Sequence, residues 1–310
     1  MAGRLQELAV IDPVLSNIAQ GYLNSDFVGE RLFPFTIVPK TRGKYVKFGR
    51  EHFRVYNTRR APRADVRRID WGVASGDLTT QERALESAVD ALEIKEATPP
   101  IRPEERAAML VQKAILLEHE YDSSVLAQDA AKYQSANKVT LTGTGQWTDE
   151  TNSNPISDIT TAKEAIRQAI GAYPSSIVFG ATAWNSFKKH PKVRAYLASD
   201  VLEVITPEMA SRILEIPNVS VGRAVYENAA GTLADLWGDN VVLAWVPPQS
   251  ERSVEVPSYG YTFRREGYPF VQQYAHPRSN SEVVQNFDNF EAYITADNGM
   301  AGYLIKDTNA

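Results

Sequence analysis

Residues 33–68 read FPFTIVPKTRGKYVKFGREHFRVYNTRRAPRADVRR, and the fold turns on what so basic a stretch does in an acidic chain. Between Lys40 and Arg68 stand Lys40, Arg42, Lys44, Lys47, Arg50, Arg54, Arg59, Arg60, Arg63, Arg67 and Arg68, opposed only by Glu51 and Asp65, a local charge of +9. The whole chain has 33 basic and 38 acidic residues, so 22 and 36 remain elsewhere and the rest carries −14. Apolar side chains alternate with the charges: Phe35 and Ile37, then, past PKTRGK, Tyr45 and Phe48, then Phe53 and Val55. This is strand patterning. It has no compact core of its own, so it predicts a long two-stranded excursion that must lie on something else.

Upstream, Leu8, Ile11, Leu15, Ile18 and Tyr22 recur at helical spacing, and Pro13 suits a first turn, predicting a short docking helix or arm over residues 5–23. Downstream of TPPIRPEER comes the strongest helical signal, residues 103–134. Pro103 suits a first-turn position, and Glu104 and Glu105 suit the positive end of the helix dipole. Leu110, Ala114, Leu117, Tyr121 and Val125 then recur at spacings of 4, 3, 4 and 4, marking a long one-sided helix. A helix TAKEAIRQAIGAY opens a compact α/β portion over about 160–250, with strands SSIVFG, VSVGRAVY and NVVLAWV and helices ATAWNSFKKH and TPEMASRIL. Residues 259–310 are β-rich, with YGYTF, FVQQYAH, SEVVQNF, EAYIT and GYLIK. The class is α+β.

With 43% hydrophobic and 23% charged residues, a chain of 310 residues can bury a sizeable core and is not compositionally disordered. It has no cysteine, which excludes disulfides, thiolate metal sites and a Cys–His dyad, and suits a reducing compartment. Glu7 and Asp12 interrupt any signal-peptide core, and VVLAWV is too short to span a bilayer, so the chain reads as soluble.

Four histidines, His52, His119, His190 and His276, stand singly, and LEHEY around His119 lacks the second histidine of a zinc-protease helix. Thr142-Gly143-Thr144-Gly145 lacks the Gly-Lys-Ser/Thr of a phosphate loop, and no G-x-S-x-G occurs. No catalytic, cofactor or metal site is expected.

Three readings remain for the basic excursion. It can be a solvated strand face kept charged for solubility. It can be a nucleic-acid surface, with Tyr45, Phe48, Phe53 and Tyr56 interleaved among the cations. No module signature accompanies it, however, and an overall charge of −5 opposes a polyanion at long range. It can also be a self-association arm, the +9 segment of one copy lying across the −14 body of the next.

The order of elements resembles the major capsid proteins of tailed bacteriophages, with the Hong Kong 97-like fold. The resemblance runs through FVGERLFPFTIVPKTRGKYVKF (27–48), EHEYDSSVLAQDAAKY (118–133), VTLTGTGQWTDETNSNPISDI (139–159), IVFGATAWNSFKKHP (177–191) and AGYLIKD (301–307), nearly the whole chain in order. It implies an N-terminal arm (1–32), an extended loop (33–88) lying over a neighbouring subunit, and a peripheral domain (89–159 and 255–310) built on a spine helix at about 103–134. Residues 160–254 would form an axial domain. The loop residues expected at the inter-subunit interface are Phe33, Phe35, Lys40, Arg42, Lys44, Tyr45, Lys47, Phe48, Arg50, Phe53, Arg54, Arg59, Arg60, Arg63, Arg67 and Arg68.

The resemblance further implies pentamers and hexamers closing into an icosahedral shell around double-stranded DNA, held without sequence-specific contacts. Its partners would be a portal, a scaffold and an optional decoration protein. The arm reaches the loop by about Phe33, so the scaffold is expected to be a separate protein. Lys40, Lys44 and Lys47 have no partner asparagine or assisting glutamate that matches a family motif, so no covalent crosslink is expected. A bacterial encapsulin compartment is the alternative on the same fold.

Overall fold

The computed structural model describes residues 10–21, 27–47, 59–60, 66, 74–97, 102–196, 204–253 and 256–309. The chain begins with β1 (Val10–Ile11), α1 (Pro13–Gly21), α2 (Gly29–Leu32), β2 (Phe35–Val38), β3 (Arg42–Lys47), β4 (Ala74–Thr79) and β5 (Gln81–Asp90). Then come α3 (Ala91–Glu96), α4 (Pro103–Gln128), β6 (Lys138–Thr140), α5 (Pro155–Ile170), β7 (Ser176–Gly180), α6 (Ala181–Lys189), α7 (Pro191–Arg194) and α8 (Pro207–Leu214). The remaining strands are β8 (Asn218–Gly222), β9 (Val225–Glu227), β10 (Leu233–Asp235), β11 (Val241–Ala244), β12 (Gly260–Arg265), β13 (Phe270–His276), β14 (Ser281–Ile294) and β15 (Gly302–Lys306).

Local chemistry sets the helix ends. The Asp12 carboxylate accepts from the N–H groups of Val14 (2.8 Å) and Leu15 (3.0 Å), so α1 starts at Pro13. Val10 and Ile11, expected in that helix, instead pair as a strand with Gln273 and Gln272. The long helix stops at Gln128, short of residue 134, because Asp129 is extended (φ −75°, ψ 102°) and its carboxylate caps a separate short turn over Ala130–Lys132. The next helix starts six residues before its expected Thr161, with Asn154 as cap and Pro155 in the first turn, and ends on Gly171 at φ 73°.

Two sheets organise the molecule. The first has the order β1-β13-β14-β12-β2, with β5 on the other side of β14. The segments SEVVQNF and EAYIT, expected as two strands, are one 14-residue strand, β14, paired along its length with β13, β12 and β5. The second sheet has the order β6-β15-β11-β7-β8.

The second sheet is buried on both faces. Ile177, Phe179, Val241, Leu243 and Ile305 meet α5, α6 and α8, while Val178, Val242, Ala244 and Leu304 meet Leu32, Phe33, Trp237 and Tyr259. Strands buried on both sides read as continuous apolar runs. This is also why GYLIK departs from the β-rich segment it belongs to by sequence: its fully buried residues need a central position, between β11 and β6.

The helix α4 lies on the first sheet and reaches the second. It is one-sided, but in the opposite sense to its apolar stripe. Leu110 (63% exposed), Ala114, Tyr121 (40%) and Val125 (53%) face outward, with Leu117 half-buried. Its inner face carries Ala107, Ala108, Val111, Gln112, Ile115, His119, Glu120, Ser123, Ser124 and Ala127. These small and polar residues let the sheets approach closely and tie to them by hydrogen bonds. The Asn286 amide donates to the Ala108 carbonyl (3.0 Å), and Glu120 accepts from Val28 N (2.9 Å), Gly29 N (2.7 Å) and Trp237 Nε1 (2.7 Å).

Burial raises the Glu120 carboxyl above its ordinary range, and the three N–H donors pull it back down. Removing that acceptor leaves three buried donors unpaired. Glu120→Ala is expected to lower the stability of the unassembled subunit by about 3 kcal/mol or more, read as a shifted urea midpoint at unchanged slope.

Candidate assembly surface

The basic stretch begins on a two-stranded stem. β3 and β4 pair antiparallel from Arg42↔Thr79 to Lys47↔Ala74, and the Thr80 N–H donates to the Thr41 carbonyl (2.9 Å) where the stem joins the body. Alternation puts Arg42 and Lys44 on the outward face and Tyr45 on the inward one. Tyr45 stands opposite Gly76, where a Cβ would fall inside its ring. Tyr45 and Leu78 close over Val38, Tyr261 and Phe263, with ring centroids 5.8 Å from Phe263 and 5.5 Å from Tyr293. The Tyr293 hydroxyl donates to the Thr79 carbonyl (2.9 Å) and accepts from the Thr79 N–H (3.2 Å). Burial raises the Tyr45 phenol above its ordinary value, so it stays neutral in its slot.

This corrects the reading of the aromatics. Phe33, Phe35 and Tyr45, expected as anchors for a neighbouring copy, are committed within their own chain. Phe33 is fully buried, 5.3 Å from Tyr259 and over Gly260. Phe35 is stacked on His119 at 4.8 Å, with the Arg264 guanidinium 3.8 Å from its centroid. The reason is the strand β2, which pairs parallel with β12 inside the first sheet and so belongs to the body.

Lys40, Arg42 and Lys44 are exposed, Lys47 is half-buried, and Arg59 and Arg60 are exposed. Phe48, Arg50, Phe53, Arg54, Arg63, Arg67 and Arg68 lie outside the described residues.

A charged cluster fixes the return strand and was not singled out from the sequence. The Arg83 guanidinium of β5 meets Asp122 (2.6 Å) and Glu118 (3.2 Å) on α4 and lies 3.6 Å from Glu291 on β14. It also donates to the Phe290 carbonyl (2.5 Å) and covers that ring at 4.3 Å. Beneath it, Arg264 donates to Asp288 (2.9 Å), whose carboxylate has no solvent exposure. Burial raises the Asp288 carboxyl, with Arg264 opposing the rise. Single charges inside apolar strand runs, Asp288 in NFDNF and Arg264 after YGYTF, were the available signal.

His119 sits in the same layer. The Thr262 hydroxyl gives its one proton to the Phe33 carbonyl (2.9 Å), so it accepts from His119 Nε2 (2.8 Å), which assigns the neutral Nε2–H tautomer. Burial, with Arg264 and Arg83 nearby, lowers the His119 pKa to about 3. Among the described residues, no group of His, Asp or Glu is arranged to hold a metal, and no helix is long and apolar enough to cross a membrane.

The sheets, the helix across them and the projecting basic stem define a capsid-type subunit. The capsid structure of cyanophage P-SCSP1u matches 94% of this chain and 90% of its own at a TM-score of 0.60 and 8% identity, a likeness of fold alone. A phage-related protein from Bordetella bronchiseptica matches 97% of this chain and 98% of its own at a TM-score of 0.81 and 35% identity. The major capsid protein of Burkholderia phage BcepMu is 37% identical over 311 residues, 99% of each chain. The family model described as phage major capsid protein E matches residues 64–255. The chain belongs to this family of phage major capsid proteins and is a structural component of the virion.

Tyr45→Ala empties the stem's slot and is expected to cost the subunit about 3 kcal/mol. Lys40→Glu and Arg42→Glu, at exposed positions, are expected to change its unfolding free energy in urea by no more than about 0.5 kcal/mol. His119 has a folded pKa below that of the unfolded chain, so its contribution is full above about pH 6.5 and is lost as pH falls toward 3. Parallel unfolding of wild type and His119→Gln should show the wild type losing about 2 kcal/mol relative to the variant between pH 7 and pH 5.

Proposed function

We propose that the chain assembles through pentamers and hexamers into an icosahedral head around double-stranded DNA. In this reading residues 33–88 form an extended loop that straps each copy to its neighbour. The observation that carries the strap is the stem itself. Tyr45 and Leu78 dock it on the body, while Arg42 and Lys44 at the base of the +9 segment face away. The rest of the chain carries −14, so a copy's own surface complements the segment of the next. Buried Tyr45 is the stem's hinge to its own body, and Phe48 and Phe53 are left as the loop's anchors for the neighbour.

The remaining regions take the roles the resemblance implies. Residues 1–32 are an arm, 89–159 and 255–310 a peripheral domain, and 160–254 an axial domain around the five- and six-fold centres, with β6 and β15 completing the axial sheet. Many weak contacts per subunit combine as avidity, so the shell is stable at low subunit concentration. The chain's part is structural and not catalytic. A scaffold and a portal are its partners, a decoration protein is optional, and the DNA is enclosed without sequence-specific contacts. A compartment shell on the same fold is the weaker reading, because the full-length relative at 37% identity is a phage major capsid protein.

The triple change Arg59→Glu, Arg60→Glu, Arg63→Glu tests the strap. Shell formation, followed by sedimentation and electron microscopy, is expected to fall sharply while the subunit stays folded by circular dichroism. Normal particles from the triple variant would overturn the strap.

A further inference from the structure

The second sheet ends on β8, which pairs with β7 on one side and, among the described residues, with no strand on the other. Open edges are ordinarily blunted by a charge, a proline or a bulge. The strand NVSVG has none of these, and its five residues pair with β7 in unbroken register. A groove of about 390 Å³ runs along the open edge, with Val219 and Ser220 on its floor, Arg31 of α2 at one wall and Ser211 and Arg212 of α8 at the other.

Those walls belong to opposite faces of the sheet. Leu32 of α2 packs with Val178 and Val242, whereas Ala210 and Leu214 of α8 pack with Ile177 and Phe179. An arginine therefore flanks the edge from each face. Both are exposed, and neither has an ion pair among the described residues. Arg223, also exposed, follows directly after the strand.

We infer that residues 199–204 of a second copy add to this edge as a further strand. The inference rests on the reading that copies associate head to tail, and it names a surface through which they do so. The segment SDVLEV has two acids and no base. Residues 197–203 lie outside the described residues, and the residues on either side, Tyr196 and Val204, are 64% and 72% exposed. Successive side chains of an added strand turn to alternate faces, so Asp200 and Glu203, three apart, meet one arginine wall each. Main-chain hydrogen bonds to β8 supply affinity, and the two acids fix the register.

Connectivity favours a second copy over the first. The segment leads through buried Ile205 into the Thr206 cap of α8. A parallel strand of the same chain beyond β8 would have to cross back over the face that already holds α6 and α8, in the direction opposite to the crossover from β7 to β8 and so with the opposite hand. Parallel crossovers are right-handed in about 98% of cases. An antiparallel strand would bring Val204 to the Asn218 end of β8, about 12 Å of helix from the Thr206 cap, which two residues, reaching about 7 Å, do not span.

The chain has no cysteine, which makes the test direct. The full chain carrying Ser199→Cys and Ser220→Cys, which leaves every charge in place, is assembled, treated with a short bis-maleimide and run on a denaturing gel. A ladder of covalent oligomers is expected, with five and six copies as its largest rungs, and each single variant is expected to stay at monomer mass. No ladder, a linker confined within one copy, or a ladder from Ser199→Cys alone would overturn the seat. Micrographs of the same sample separate the two claims: closed shells without the ladder sink only the seat, and a population of monomers sinks the association reading as well.

A charge exchange gives a second readout. Arg31→Glu with Arg212→Glu is expected to raise the concentration needed for particles by roughly tenfold, and adding Asp200→Arg with Glu203→Arg to recover most of it. Unchanged assembly of the paired arginine variant would also overturn the seat.

Discussion

The buried carboxylate of Glu120 lets one helix serve two sheets. It gathers the N–H groups at the start of α2 and the indole of Trp237 onto the middle of α4, joining the first sheet, the second sheet and the entry of the basic loop at a single point. Burying a carboxylate is costly, and the raised pKa records that cost. Three short charge-assisted hydrogen bonds offset it. The same economy runs along the helix: His119 takes Thr262, and Asn286 takes the Ala108 carbonyl. Small and polar residues inside bring the backbone close to the sheets, which leaves the large apolar residues for the outside.

The inner face of α4 specifies how the chain folds, and its outer face leaves Leu110, Tyr121 and Val125 exposed. The loop is divided in the same way. Tyr45, Leu78 and Arg83 bind its stem and return strand to their own body, while Arg42 and Lys44 face away. Placing +9 in one segment and −14 in the remainder gives identical copies a reason to meet in one orientation. Head-to-tail contacts between copies can then close into rings.

The sequence made some of this plain and hid the rest for definite physical reasons. β7, β11 and β15 were legible because strands buried on both faces are continuous apolar runs, and α5 because its apolar period is clear, although its start at Pro155 depended on a cap of Asn154. The length of β14 was not legible, since Asp288 and Asn289 look like a turn until Arg264 and the neighbouring strands are present. The stripe of α4 was read correctly as a stripe, but periodicity cannot tell whether the partner of an apolar face is the same chain or another. The aromatics show the same limit in reverse. Phe33 and Tyr45 stand in a basic loop sequence, yet Gly260 and Gly76 open the slots that bury them, and that complementarity exists only in three dimensions. The exposed candidates Lys40, Arg42 and Lys44 were legible because charge on an alternating strand seldom faces inward.

The central claim is that this chain closes on copies of itself. Electron microscopy of the purified full-length protein, with sedimentation on the same sample, tests it most directly. Closed polyhedral shells, or rings of five and six, are the predicted result. A protein that stays monomeric as its concentration is raised, and instead binds DNA with a steep salt dependence, would contradict it.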